Sequence, residues 1–240
     1  MALLLASCTT IDAPTEVGSV EALPQDDNAQ VADTNLPNSP ASELTARLPR
    51  LEGKATVEIL VGSKPITVEL YGSEAPYTAG NFVDLAQKGV YDGTIFHRVI
   101  DGFVAQGGDP VSQDPNVPIN QLGFGNYIDP DTGETRSIPL EILPAGAEEP
   151  VYGSTFEDIG LEEDPELSHT KGAIAMARSG VNTASAQFYI TLADVTEPLD
   201  GKYAVFGYVT DGMDVVDNIQ LEDVITSVKV TSGAENLVQP

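Results

Sequence analysis

The stretch IFHRVIDGFVAQGGDP, residues 95–110, places Arg98 directly after His97 and follows it with Phe103, Val104, Gln106 and the pair Gly107-Gly108. A guanidinium is always charged and presents several N–H donors in a rigid fork. It therefore suits a reaction in which electron density shifts and a fixed donor meets it, with no proton moved. The chain has only 11 Lys and Arg against 37 Asp and Glu, so an isolated arginine would ordinarily pair with one of the many carboxylates. The residue types close behind Arg98, a ring, an aliphatic side chain and an amide, do not by themselves separate it from that ordinary case. The other chemistry-bearing residues are few. His97 and His169 are the two histidines and Cys8 the one cysteine, with no metal-ligand spacing and no base set against a nucleophile. Neither a zinc site nor a triad is supported, and no cofactor is implied. His169, in HTKG, reads as a structural loop histidine.

The turn after Arg98 decides which of these side chains share a face. Asp101-Gly102 between two β-type runs predicts a two-residue type I′ hairpin. That turn pairs Ile100 with Phe103, putting Arg98 and Phe103 on one face and Gln106 on the other, with His97. Only a bulge or sharp twist, which Gly107-Gly108 would allow, could bring Gln106 back to Arg98. Parity along the chain leaves both arrangements open.

Around this stretch runs a chain of short β-type segments: ATVEIL and ITVEL as a hairpin from Ala55, then IFHRVI, FVAQ, IPLEI, GAIAMA, AQFYITL, AVFGYV and VITSVKV. Residues 75–88 space Phe82, Leu85 and Ala86 as an amphipathic helix does, with Pro76 in the first turn and Gly89 after the end. A second helix is expected over Asp214–Gln220. Many short strands with two helices predict a mainly β fold, a closed antiparallel barrel, because closure removes exposed edges. Residues 111–153, rich in Pro, Asp and Gly, are too long for an ordinary connection and are expected to form an excursion with structure of their own.

With 240 residues and 41% apolar content the chain can bury one sizeable core, and residues 51–232 are assigned to a single domain with 233–240 as a tail. A formal charge of -26 repels phosphate backbones and anionic lipid, which disfavours nucleic-acid binding. Residues 9–50 lack aromatic residues and any sustained period, as a disordered acidic linker would. Ahead of them, Leu3-Leu4-Leu5-Ala6-Ser7-Cys8 resembles a bacterial lipobox, whose cysteine sulfur receives a diacylglyceryl group. No basic n-region precedes it. Either the start lies upstream, the reading taken here with residues 1–8 as a signal remnant, or the match is accidental. An anchor on Cys8 would be the domain's one hold on a membrane, since no run approaches transmembrane length.

FHRVIDGFVAQGGDP resembles the signature of cyclophilin-type peptidyl-prolyl cis-trans isomerases. The similarity continues in order through YGSTFEDIG, HTKGAIAMARSG, NTASAQFYITL and LDGKYAVFGYV, over roughly Ala55 to Val230. The excursion looks like that of longer cyclophilins from photosynthetic bacteria and plastids. The resemblance implies a closed eight-stranded antiparallel barrel capped by two α-helices and isomerisation of X-Pro bonds in proline-containing polypeptides. Extended to an anchored chain, it implies a monomer that assists folding outside the cytoplasm, with a non-catalytic peptide-binding chaperone or assembly scaffold as the alternative. The essential arginine of the family falls on Arg98. The proline slot falls on Phe103, Val104, Tyr189 and Leu199, with Tyr203 at the rim, although each of these alone would pass for core. Gln106 and Gln187 match positions that bind substrate backbone or orient the arginine, and Ala177, Arg178 and Ser179 match the edge along which the peptide lies extended. His97 frames the site at best, because bond rotation needs no proton transfer. The chain departs from the best-known eukaryotic pattern in having Pro198 for a tryptophan, Tyr203 for a histidine, Val104 for a methionine, Tyr189 for a phenylalanine and Arg178 for an asparagine. Without the indole, strong cyclosporin binding is not expected.

Overall fold

The computed structural model describes residues 45–240. Cys8 and residues 9–44 of the expected linker lie outside the described residues. Twelve strands are formed: β1 (Arg50–Leu51), β2 (Lys54–Val61), β3 (Lys64–Tyr71), β4 (Arg98–Ile100), β5 (Val104–Gly107), β6 (Glu141–Ile142), β7 (Val151–Tyr152), β8 (Ala173–Met176), β9 (Phe188–Thr191), β10 (Val205–Asp211), β11 (Ile225–Ser232) and β12 (Leu237–Val238). Eight of them build one antiparallel sheet in the order β11-β2-β3-β10-β8-β9-β5-β4. The sheet is curled, with its two end strands brought near each other. Residues 93–96, just before β4, exchange backbone hydrogen bonds with 222–225 at the start of β11, but the only ladder contact there is the isolated bridge Ile95–Val224. The closed barrel expected from strand count is therefore met as a curled eight-stranded sheet whose end strands β4 and β11 are not paired as strands.

The two halves of this sheet bury their faces differently. In β2 and β3, inward Val57, Ile59, Ile66 and Val68 alternate with partly exposed residues, as one buried face requires. In β5, β8 and β9 every residue is buried. Their inward side chains, Ala105, Ile174, Phe188 and Ile190, join the main core. Their outward ones, Val104, Ala173, Ala175 and Tyr189, form a second cluster with Leu199 and Val205. A strand buried on both faces has something built over its outer side.

The long helix α1 (Pro76–Gln87) covers the main core through Phe82, Val83 and Leu85. It has no side-chain cap of its own; the Glu141 carboxyl supplies one from the excursion, accepting from Thr78 N at 2.8 Å and Tyr77 N at 3.3 Å. Gly80 lets the helix meet β1, since a Cβ there would lie 2.5 Å from Arg50 Cα. The second expected helix is reduced to one turn, α3 (Met213–Val216), and another turn, α2 (Thr196–Leu199), precedes the Leu199–Tyr203 loop. IPLEI joins the two-stranded β6-β7 sheet instead of the main one. Segments read as linker end and tail are structured: Leu48 and Pro49 are buried, and β1 pairs with β12 beyond the 3-10 turn Ala234–Asn236.

Candidate active site

The hairpin after Arg98 differs from the expected one by a single residue. Asp101 does not take a positive φ; only Gly102 does, at 66°, so the turn is not type I′. Ile100 pairs with Val104 and Phe103 is left in the turn, which places Arg98 directly opposite Gln106. This register, with no bulge at Gly107, settles the parity question. A row of side chains then crosses four strands on the outer face: Arg98, Gln106, Tyr189 and Ala175, each opposite the next. Gly108, at φ 77°, lets the chain turn away over Phe188, where a Cβ would lie 2.8 Å from the ring.

These side chains line a cavity of about 520 Å³. Every residue expected in the groove is on its wall: Arg98 and His97, the apolar set Phe103, Val104, Tyr189 and Leu199, the amides Gln106 and Gln187, the edge Ala177, Arg178 and Ser179, and Tyr203. Arg98 is half-buried and, among the described residues, has no carboxylate within ion-pair distance. Its Nη1 donates to Gln106 Oε1 at 3.4 Å, Gln106 Nε2 donates to Gln187 Oε1 at 3.1 Å, and Gln187 Nε2 donates to the Gly125 carbonyl at 2.8 Å. The Phe103 ring centroid lies 5.9 Å from the guanidinium carbon. Burial pulls the Arg98 pKa below the usual guanidinium value, opposed only by the Tyr203 and Tyr189 phenols, and the group stays charged. His97 is buried with neither ring nitrogen hydrogen-bonded, and burial pushes it below the ordinary histidine value despite the field of Asp109. The imidazole forms part of the cavity wall beside Arg98.

The sequence did not point to Leu122, Gly123, Phe124, Asn126, Thr183 and Ser185, which also line the cavity. The first four come from the excursion. Asp109, fully buried, holds that segment by accepting from Gly123 N at 2.6 Å and Gly125 N at 3.2 Å as well as from Val111 N. Gly123 then faces the His97 ring, where a Cβ would lie 3.5 Å from Nε2, and Phe124 stands 81% exposed at the mouth. An aromatic between two glycines, in LGFGN, was the available signal.

His169 is a structural loop histidine, and its partners are specific. It is fully buried; its Nδ1 lies 2.6 Å from Asp200 Oδ1 and its Nε2 2.9 Å from the Tyr189 hydroxyl. An ionised carboxylate only accepts, so Nδ1 carries a proton, and in the neutral ring Nε2 accepts from the tyrosine. The chain Asp200–His169–Tyr189 joins the Leu199–Tyr203 loop to the cavity floor. Across the same loop, Arg178 donates to the Lys202 carbonyl at 2.7 Å (Nη2) and 3.3 Å (Nε).

Comparison with known proteins agrees with this geometry. Residues 56–235 match the family described as "Cyclophilin type peptidyl-prolyl cis-trans isomerase/CLD". A Synechocystis sp. protein named as a thylakoid lumen peptidyl-prolyl cis-trans isomerase is 44% identical over 93% of this chain and 57% of its own length. A chloroplastic peptidyl-prolyl cis-trans isomerase of Arabidopsis thaliana is 39% identical over 80% of this chain and 46% of its own. The chain thus spans about half the length of these two curated relatives. A crystal structure of a cyclophilin-type isomerase from Cryptosporidium parvum superposes with a TM-score of 0.55 at 26% identity, covering 75% of this chain and 98% of that one. Sequence match, sheet topology and a carboxylate-free arginine over an apolar slot converge: the chain belongs to the cyclophilin-type peptidyl-prolyl cis-trans isomerase family.

Proposed function

We propose that the domain isomerises X-Pro peptide bonds, with Arg98 as the catalytic residue. The bond resists rotation, by about 18–20 kcal/mol, because the nitrogen lone pair is delocalised into the carbonyl. Before proline the cis and trans forms differ by only about 0.5–1 kcal/mol, so the two ends of the reaction need no special treatment. A catalyst must prefer the twisted state, in which the nitrogen is pyramidal and its lone pair localised. A guanidinium N–H aimed at that nitrogen binds the twisted state better than either planar one. Phe103, Val104, Tyr189 and Leu199 form the slot that holds the ring. Gln106 and Gln187 fix the guanidinium from one side, so the donor need not reorganise during rotation.

The observation that carries this reading is Arg98 itself: half-buried, fixed by an amide, and without a carboxylate partner among the described residues. A half-buried guanidinium with no carboxylate partner among the described residues is kept for something that arrives. A protease-coupled isomerisation assay on the parent chain and Arg98→Ala tests it. Undiminished turnover by the variant defeats the assignment. The exposed Phe124 at the cavity mouth favours a second reading, a scaffold that holds peptides without turning them over. Peptide binding without isomerisation by the parent chain would select it.

The excursion is read as an insertion like that of the longer cyanobacterial and plastid members. The thylakoid lumen and chloroplast names of the two relatives support placing this protein outside the cytoplasm, where it would assist folding. The Leu3–Cys8 run supports an acyl anchor on Cys8. Mass spectrometry of Cys8 from membrane fractions checks the anchor, and an unmodified thiol would rule it out.

A further inference from the structure

Arg178 is the second guanidinium of the groove, and isomerisation as derived above makes no use of its charge. It is only partly exposed, its guanidinium carbon lies 4.6 Å from the Tyr203 ring centroid, and no carboxylate is within ion-pair distance among the described residues. The one acidic group whose field reaches it, Asp158, accepts a hydrogen bond from Thr155 N. The Lys202 carbonyl takes Nε and one hydrogen of Nη2, which leaves Nη1 and the other Nη2 hydrogen free. The other partly buried arginine outside this groove, Arg136, is paired with two carboxylates. Burying a cation without a counter-charge is unfavourable, and a neutral side chain would cover Tyr203 equally well. The Tyr203 phenol lies in the field of both Arg98 and Arg178, so the two cations flank the same part of the groove.

We propose that Arg178 sets the substrate class: it receives a carboxylate side chain within two residues of the proline, so that the preferred peptides are acidic next to the isomerised bond. The net charge of -26 would repel such peptides at long range, but charges more than about 8 Å apart are largely screened at physiological salt. Close to the groove the two guanidiniums decide. Arg178 is already oriented by Lys202 and Tyr203, so a carboxylate can meet a fixed pair of N–H groups.

This inference rests on the isomerase reading for the place of the peptide, and its test separates the two. The full chain and its Arg178→Met and Arg178→Lys variants are given hexapeptides with one central proline. Glu, Gln or Lys occupies each of the two positions before and the two after proline, at 0.15 M salt. Exchange NMR reads cis-trans turnover, and chemical-shift titration reads binding. At one position Glu is expected to be favoured over Gln by about five- to tenfold in affinity and kcat/KM. That ratio should fall below about twofold in Arg178→Met and be partly kept in Arg178→Lys. Turnover of all peptides with no Glu preference at any position overturns the inference and leaves the isomerase intact. A Glu preference that survives Arg178→Met unchanged also overturns it. A Glu preference in binding without turnover upholds it and removes the isomerase reading instead.

Discussion

Two partly buried arginines, one within the excursion and one at the groove, are treated in opposite ways. Arg136, in the excursion, donates from Nη1 to Asp84 on α1 and from Nη2 to Asp129, and the Tyr127 ring lies 4.9 Å from its guanidinium carbon. Arg98, at the groove, has one long hydrogen bond to a neutral amide and a ring nearby. The electrostatics diverge accordingly. Burial alone would lower both pKa values; the carboxylates Asp84 and Asp129 reverse this for Arg136, while nothing of that strength opposes it for Arg98. A guanidinium that staples two elements is satisfied within the chain, and one that acts on a visitor is left wanting a partner. The contrast can be broken by exchanging the consequences of removing each.

Arg136→Met should have the largest effect, and on stability. Its side chain is 10% exposed and that of Asp84 4%, so deletion leaves the buried carboxylate with only Lys88 and Gln239 as partners, at roughly 2–3 kcal/mol. Denaturant unfolding should show that loss, while turnover per folded molecule changes far less. Asp84 adds a sign to check. Burial works against its ionised form, but hydrogen bonds from Arg136, Lys88 and Gln239 outweigh it and hold its pKa below 3.8. Its contribution is therefore present above the ordinary aspartate pKa and is lost as pH falls through the lowered value.

Arg98→Ala should do the reverse. Turnover should fall by about 10²–10³-fold, the usual loss when a preorganised donor to a transition state is removed. Peptide affinity should fall by less than about tenfold, and the unfolding midpoint should hardly move. An arginine whose loss lowers stability as much as Arg136 does would belong with the staples, and the proposed distinction would fail.

How far this contrast could be read from sequence depends on the distance over which each contact is made. Arg98, Phe103 and Gln106 lie within one short stretch whose residue types are informative. Their relative faces are not, because Asp-Gly serves either a type I′ turn or a turn in which Gly102 alone is left-handed, and the one-residue difference moves Gln106 to the other face. The strand runs were legible because β-branched and apolar residues alternate or cluster in them. Closure was not, since it depends on how residues 93–96 meet 222–225, far apart in the chain. Asp109 reaching Gly123, Arg136 reaching Asp84 and His169 reaching Asp200 leave no period in the sequence, so the excursion's part of the groove and the role of His169 emerge only in three dimensions.

The excursion's other tie to α1 gives a prediction in a different pH window. Glu141 is fully buried and, among the described residues, has no cation within ion-pair distance, and burial raises its pKa to about 7 despite hydrogen bonds from Thr78 and Tyr77. A carboxyl whose folded pKa lies above its unfolded one stabilises the fold when protonated. That stability is complete below about pH 4.5 and is lost as pH rises through about 7. The interval corresponds to on the order of 3 kcal/mol. Glu141→Gln keeps an acceptor for Thr78 N and cannot ionise, so it should unfold at a higher temperature than the parent at pH 8 and at nearly the same temperature at pH 4.5. Parallel melting curves for the two proteins across that range would refute a buried, titrating Glu141.

The smallest expected effect is also the most specific, because it concerns one hydroxyl. Tyr189 forms the cavity floor with its ring, while its hydroxyl points away and is held by His169, itself held by Asp200. Tyr189→Phe leaves the ring and removes only that link. If the hydroxyl merely filled space, the phenylalanine should be neutral. If it fixes the ring against the Leu199–Tyr203 loop, its loss leaves His169 Nε2 buried without a donor, at roughly 1–3 kcal/mol, and loosens the slot. KM for a proline peptide should then rise about threefold, with kcat, set by Arg98, changed by less. The ¹⁵N shift of His169 Nε2 should move as its hydrogen bond disappears, a signature that a general loss of packing would not give. Unchanged KM and an unchanged Nε2 resonance would show that the Asp200–His169–Tyr189 chain holds nothing the substrate senses, and that Tyr189 serves the groove by its ring alone.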